Sequence, residues 1–116
     1  MYAIIFYKTL RGEEPARLFI DELHNNVKAK VDRWLKKLEE HGPGLPRPFS
    51  DVLRDKIREL RVSHGRLEVR LLFFFCRKYI ILTHGFLKKT EQTPAAEIER
   101  AVRYMNDFLF RTGELK

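Results

Sequence analysis

Cysteine is almost absent from this chain of 116 residues, where Cys76 stands alone. No intrachain disulfide can form, no second thiol can complete a zinc site, and a single cysteine inside an aromatic run reads first as a small buried hydrophobe. Histidine is scarce as well. His24, His41, His64 and His84 lack the close spacing of metal ligands, so neither a metal nor another cofactor is expected. Long apolar runs are also missing: the longest, Leu71 to Cys76, is far below the roughly 20 residues that span a bilayer. Ala3 to Tyr7 is too short for a secretory signal and follows no basic leader. A cytoplasmic protein without a membrane among its partners is the expectation.

What is present is apolar material and positive charge. The chain is 44% hydrophobic and 12% aromatic, enough for a packed core and far from the composition of disorder. Its length suits one domain, taken as residues 1–116, and is short for two. Lys and Arg number 23 against 16 Asp and Glu, a formal net charge of +7 that favours partners with dense negative charge.

The opening Tyr2 to Tyr7 is β-branched and aromatic and reads as a strand. Pro15 suits the first turn of a helix whose apolar face is Ala16, Phe19, Ile20 and Leu23. A second helix is expected after an Asn26 cap, with Val27, Val31, Trp34, Leu35 and Leu38 on one face and a stop at Gly42. The two should form a helical hairpin, followed by an irregular loop over Gly42 to Pro48, where prolines and glycines crowd. From Ile57 the period becomes two. Leu60 and Val62 alternate with Glu59 and Arg61, and beyond a turn at Ser63 to Arg66 the apolar Leu67, Val69 and Leu71 alternate with Glu68 and Arg70. Leu72 to Phe75 and Tyr79 to Leu82 are apolar on both faces, as in central strands, with Arg77 and Lys78 turning between them. Thr93 and Pro94 start a last helix that keeps its spacing to about Arg111 and ends at Gly113. The expected order is β-α-α-β-β-β-α.

If Val62 pairs with Leu67, the same register sets Arg61 opposite Glu68 and Glu59 opposite Arg70. Two solvated cross-strand ion pairs, each contributing roughly 0.2–1 kcal/mol, account for that pattern without any function. Lys88, Lys89 and Thr90 follow the last strand, where the chain leaves the sheet, a common position for binding groups.

The string Ile57-Arg-Glu-Leu-Arg61, then Arg70 in an aromatic-rich strand, then Gly85-Phe-Leu-Lys-Lys-Thr90, and Thr93-Pro94 with Glu97 and Ala101 in the next helix, resembles the phage-derived, HigB-like branch of the RelE/ParE toxin superfamily. Gly12, Pro15, Gly42 and Pro48 stand where that pattern expects them. The resemblance implies an α+β, RelE-like fold of the microbial ribonuclease type, with helices packed on one face of a mainly antiparallel sheet and a basic concave face open to RNA. It further implies a type II toxin, a ribosome-dependent mRNA endoribonuclease. Its partners would be mRNA on the ribosome and a cognate antitoxin, often with a helix-turn-helix domain, through which alone the pair reaches operator DNA. Arg61, Arg70, Lys88 and Lys89 would line the active face, with Glu59 beside them.

Those residue types suit the chemistry. Metal-independent RNA cleavage uses the 2′-hydroxyl as nucleophile and needs charge stabilisation on the phosphoryl oxygens and help for the leaving 5′-oxygen. The planar forks of Arg61 and Arg70 can hold two phosphate oxygens, and Lys88 or Lys89 can hold charge or move a proton. Glu59 is expected to orient Arg70 rather than act as base, because an ion-paired carboxylate is a poor base. Tyr79 and Tyr104 read as packing residues. Related toxins often carry a late histidine or tyrosine for proton transfer; here no histidine follows His84, and Val69 stands where many relatives have an aromatic. Two other readings share the fold: a ParE-like toxin acting on gyrase without RNA chemistry, and a non-catalytic nucleic-acid-binding protein.

Overall fold

The computed structural model describes residues 1–114. The elements are β1 (Ala3–Phe6), α1 (Pro15–Asp21), α2 (Asn25–His41), a short 3-10 turn (Gly42–Gly44), β2 (Ser50–Arg54), β3 (Ile57–His64), β4 (Leu67–Cys76), β5 (Tyr79–Leu87) and α3 (Ala95–Arg111). The strands form one sheet in the order β1-β5-β4-β3-β2. β1 runs parallel to β5 and every other pair is antiparallel, a mixed α+β architecture consistent with the RelE-like fold that the resemblance implies. Among the described residues no helix is long and apolar enough to cross a membrane.

The strands are covered on both sides, which corrects the expectation of helices on one face. Leu60, Val62, Val69, Leu71, Phe73, Ile80 and Leu82 pack with Ala16, Ile20, Val27, Val31, Leu35 and Leu38 of α1 and α2. The alternate residues Ile57, Leu72, Phe74 and Ile81 pack with Ala101 and Met105 of α3. Because successive side chains point to opposite faces, these are two separate cores with the sheet between them. The unbroken run Leu71 to Phe74 follows from that double covering.

A strand beyond the four expected, β2, stands between the second helix and the Ile57 strand, making five among the described residues. β2 joins β3 through the two-residue turn Asp55–Lys56, both with positive φ, 50° and 72°. Such turns usually advertise themselves with Asn or Gly, and Asp-Lys does not. The β3–β4 turn is tighter than expected: His64 pairs with Leu67, leaving only Gly65 (φ 59°) and Arg66 in the loop. Register therefore moves by two residues. Arg61 faces Arg70 instead of Glu68, and Glu59 faces Leu72 instead of Arg70.

β5 extends past Leu82 to Leu87 because it absorbs an extra residue. Leu82 pairs with Phe73 and His84 with Leu72, so Thr83 is a bulge that shifts the alternation by one. The bulge turns His84 onto the α3 face and places Gly85 under α1, where a Cβ would collide with the Phe19 and Leu71 side chains. Glycine is required there by close approach, since α1 packs directly on β5.

Candidate functional site

On the α3 face, two rows of side chains cross the sheet side by side. One is Asp51, Glu59, Leu72 and His84; the next is Arg61, Arg70 and Phe86. Two arginines directly opposite each other repel, and such a pair is destabilising unless carboxylates intervene. Here they do. Arg61 donates from Nε to Glu59 Oε2 at 2.8 Å and from Nη2 to Asp51 Oδ2 at 3.1 Å. Arg70 donates from Nη2 to Glu68 Oε1 at 3.3 Å and from Nη1 to the Val69 carbonyl at 3.0 Å. Glu59 Oε1 also accepts from the Thr93 hydroxyl at 2.6 Å, tying the segment before α3 to the sheet.

Arg70 is 6% exposed, and its Nε is a buried donor with no hydrogen-bond partner among the described residues, 3.9 Å from Glu59 Oε1. A buried, unsatisfied group of this kind costs about 1–3 kcal/mol, and more when charged.

Two grooves meet at Arg61. The first, about 350 Å³, is lined by Lys30, Trp34, Pro48, Phe49, Arg61, Ser63, Glu68 and Arg70. It exists because β2 begins at Ser50, opposite Leu60, so beyond that point β3 is paired only with β4 and its other edge has no strand neighbour. Phe49 fills the edge instead: its carbonyl accepts the Arg61 N–H at 2.8 Å, and its ring stacks on Trp34 with centroids 4.7 Å apart. Lys30 of α2 reaches over the edge to donate to the Ser63 carbonyl. The second groove, about 290 Å³, lies between β2 and the loop after β5, and is lined by Glu59, Arg61, Lys88, Thr93 and neighbours.

Four of the five residues singled out from the sequence therefore border these grooves: Arg61, Arg70, Glu59 and Lys88. Lys89 is exposed and lines neither. Glu59 is 1% exposed with both oxygens engaged, a geometry for holding Arg61 rather than taking protons from a substrate. The surface is less uniformly basic than expected, since Asp51, Glu59 and Glu68 sit among the cations. Sequence reasoning missed Asp51, Thr93 and the Lys30, Trp34 and Phe49 edge. Asp51 lay in the unrecognised strand, and the others lie far from the arginines in sequence.

His84 is buried, with Nε2 3.1 Å from Glu97 Oε1 and Nδ1 3.1 Å from the Thr83 hydroxyl. Burial, with Arg100 and Arg103 nearby, pushes its pKa down to about 3, so it is neutral at pH 7 and its Nε2–H donates to Glu97. Closed to solvent and so weakly basic, it is not placed to exchange protons with a substrate at the arginines. Tyr104 packs as expected, stacked on Tyr7 at 4.6 Å, whereas Tyr79 is 45% exposed at a strand end. Cys76 is half-buried at the end of β4, and burial raises its thiol pKa, so the thiolate is disfavoured.

No curated protein matches the chain. The family model described as phage derived protein Gp49-like (DUF891) matches residues 18–106, a span from α1 into α3 that contains both arginines and both grooves. The chain thus belongs to the Gp49-like phage-derived family, which is part of the RelE/HigB-like superfamily of toxin–antitoxin toxins.

Proposed function

We propose that the protein is the toxin of a type II toxin–antitoxin pair and acts as a ribosome-dependent mRNA endoribonuclease. The observation that carries this reading is the pair of arginines facing each other across β3 and β4, with an unsatisfied Arg70 Nε beneath them. A like-charged, largely buried pair is a poor device for stability, and two planar forks at cross-strand distance are a good one for a phosphodiester. Membership of the family supports the assignment to toxins.

In the proposed reaction the 2′-hydroxyl attacks the adjacent phosphorus and the 5′-oxygen leaves, giving a cyclic phosphate and a free 5′-hydroxyl. Arg61 and Arg70 hold the phosphoryl oxygens as negative charge builds on them. Lys88, on the far side of Arg61, supports the leaving oxygen, and Glu59 keeps the Arg61 fork in one orientation. The partners in this reading are mRNA on the ribosome and an antitoxin with a helix-turn-helix domain, with operator DNA reached only by the complex, in the cytoplasm.

Primer extension on a defined mRNA in a reconstituted translation reaction tests the reading. Wild-type protein should cut only when ribosomes are present, and Arg70→Ala should slow cutting by roughly 100-fold or more while still folding. Intact RNA in every lane, together with trapped gyrase–DNA complexes, would replace it with the ParE-like alternative.

A further inference from the structure

We propose that the groove beside the two arginines is a nucleobase subsite, in which one base of single-stranded RNA stacks on Phe49 and presents an amino group to Glu68. This rests on the reading of Arg61 and Arg70 as phosphate contacts and goes further, by naming which bases the site prefers.

Phe49 is 39% exposed, yet it is held in place three ways. Its N–H donates to the Pro46 carbonyl at 3.0 Å, its carbonyl accepts from Arg61, and its ring lies against Trp34. A fixed, partly open aromatic surface is what a base needs for stacking, and its ordering cost is already met by the fold. The backbone bond to Arg61 sets that surface directly beside the phosphate contact, across the edge of β3. Lys30, Arg61 and Arg70 line the same groove, so its charge complements a nucleotide better than an apolar peptide side chain.

Glu68 supplies the discrimination. Its Oε1 accepts from the Ser63 hydroxyl at 2.9 Å and from Arg70, while Oε2 receives neither bond and the side chain is 40% exposed. A carboxylate only accepts. It pairs with the exocyclic amino group of cytosine, adenine or guanine. Uracil has no amino group, and its one ring donor is flanked by two carbonyl oxygens that repel a carboxylate. The groove should therefore reject uracil.

Trp34 is the only tryptophan of the chain, so its fluorescence reports on this groove alone. Short 2′-O-methyl oligonucleotides, which lack the nucleophile for cleavage, serve as probes: oligo-C and oligo-U titrated at low salt. Oligo-C should quench Trp34 saturably and bind roughly tenfold more tightly than oligo-U. Phe49→Leu, which keeps the groove apolar but removes the ring, should weaken oligo-C by roughly tenfold without altering the salt dependence. Glu68→Gln, which can still accept from Ser63 and Arg70, should bring oligo-C and oligo-U together. Salt-sensitive binding that is lost in Arg61→Ala but leaves Trp34 unquenched and ignores Phe49→Leu and Glu68→Gln would overturn the base subsite and spare the phosphate reading. No binding of either oligonucleotide would overturn both.

Discussion

Along the α3 face of one sheet, Leu72 and Phe74 sit on the same strand as Arg70, two and four residues away, and all three are almost fully buried. The two ends of this face reach burial by different means. At the Cys76 end, Leu72, Phe74 and Ile81 are covered by Ala101 and Met105, and apolar contact compensates for the ordering of the chain. At the Gly65 end, Arg70 and Glu59 lie beyond that apolar patch, where carboxylates and guanidinium groups answer one another. Taking such charges out of water costs several kcal/mol per ion before any attraction is counted, and apolar residues of similar size often stabilise a fold more. The ionic end is therefore not explained by stability, a contrast that supports the proposed phosphate-binding role of Arg61 and Arg70.

The contrast can be broken from either side in one denaturation experiment. Phe74→Ala removes a ring that is 1% exposed and edge-on to Phe108 at 5.8 Å, and should cost about 3–5 kcal/mol. Glu59→Gln keeps the shape and an acceptor for Thr93 but removes the charge between the arginines, and should cost about 1–3 kcal/mol. The functional effects should run the other way for a given loss of stability: Glu59→Gln frees Arg61 from its fixed orientation and lowers cleavage, while any folded Phe74→Ala protein cuts normally. Equal functional losses at equal stability would erase the distinction between the two ends.

The same contrast explains what could be read beforehand. The α1–α2 core was legible because periodicity reports burial: the alternation of Leu60, Val62, Val69 and Leu71 and the spacing of Val27, Val31, Leu35 and Leu38 identify the faces that it uses. Arg61, Arg70, Glu59 and Lys88 were legible through family resemblance, and they do border the grooves. The juxtaposition of the arginines was not, because register depends on whether Ser63 and His64 belong to the turn or to the strand. The α3 core was hidden for a related reason. Strands apolar on both faces give no phase from which to tell which residues meet which helix, and the Thr83 bulge changes the phase within β5. Phe49 and Trp34 carry ordinary core signals in sequence, and only the early end of β2 places them beside Arg61.

His84 marks the boundary between the two ends and should make it sensitive to acid. Its folded pKa, about 3, lies below the ordinary 6.5, so between those values the unfolded chain binds the extra proton. Stability from this group is complete above pH 6.5 and is lost as pH falls toward 3. From pH 6.5 to 4 the loss amounts to up to roughly 3 kcal/mol at 1.36 kcal/mol per unit, with Glu97 at 3.1 Å opposing part of it. Denaturant midpoints measured at pH 7, 6, 5 and 4 should fall more steeply for wild type than for His84→Gln. Parallel curves would mean that Glu97 compensates the imidazolium fully.

The smallest effect separates two neighbours that composition treats alike. Lys88 is half-buried, its N–H donates to the Glu68 carbonyl at 2.8 Å, and it lines the groove beside Arg61. Lys89, one residue on, is exposed and outside it. If the ionic end binds a phosphodiester backbone, Lys88→Ala should weaken oligonucleotide binding severalfold and reduce the salt slope by about 0.7, the contribution of one phosphate contact on a single strand. Lys89→Ala should leave the slope almost unchanged. Equal changes in both variants would mean that the protein attracts RNA through its net charge alone, with no contact fixed at the end of β5.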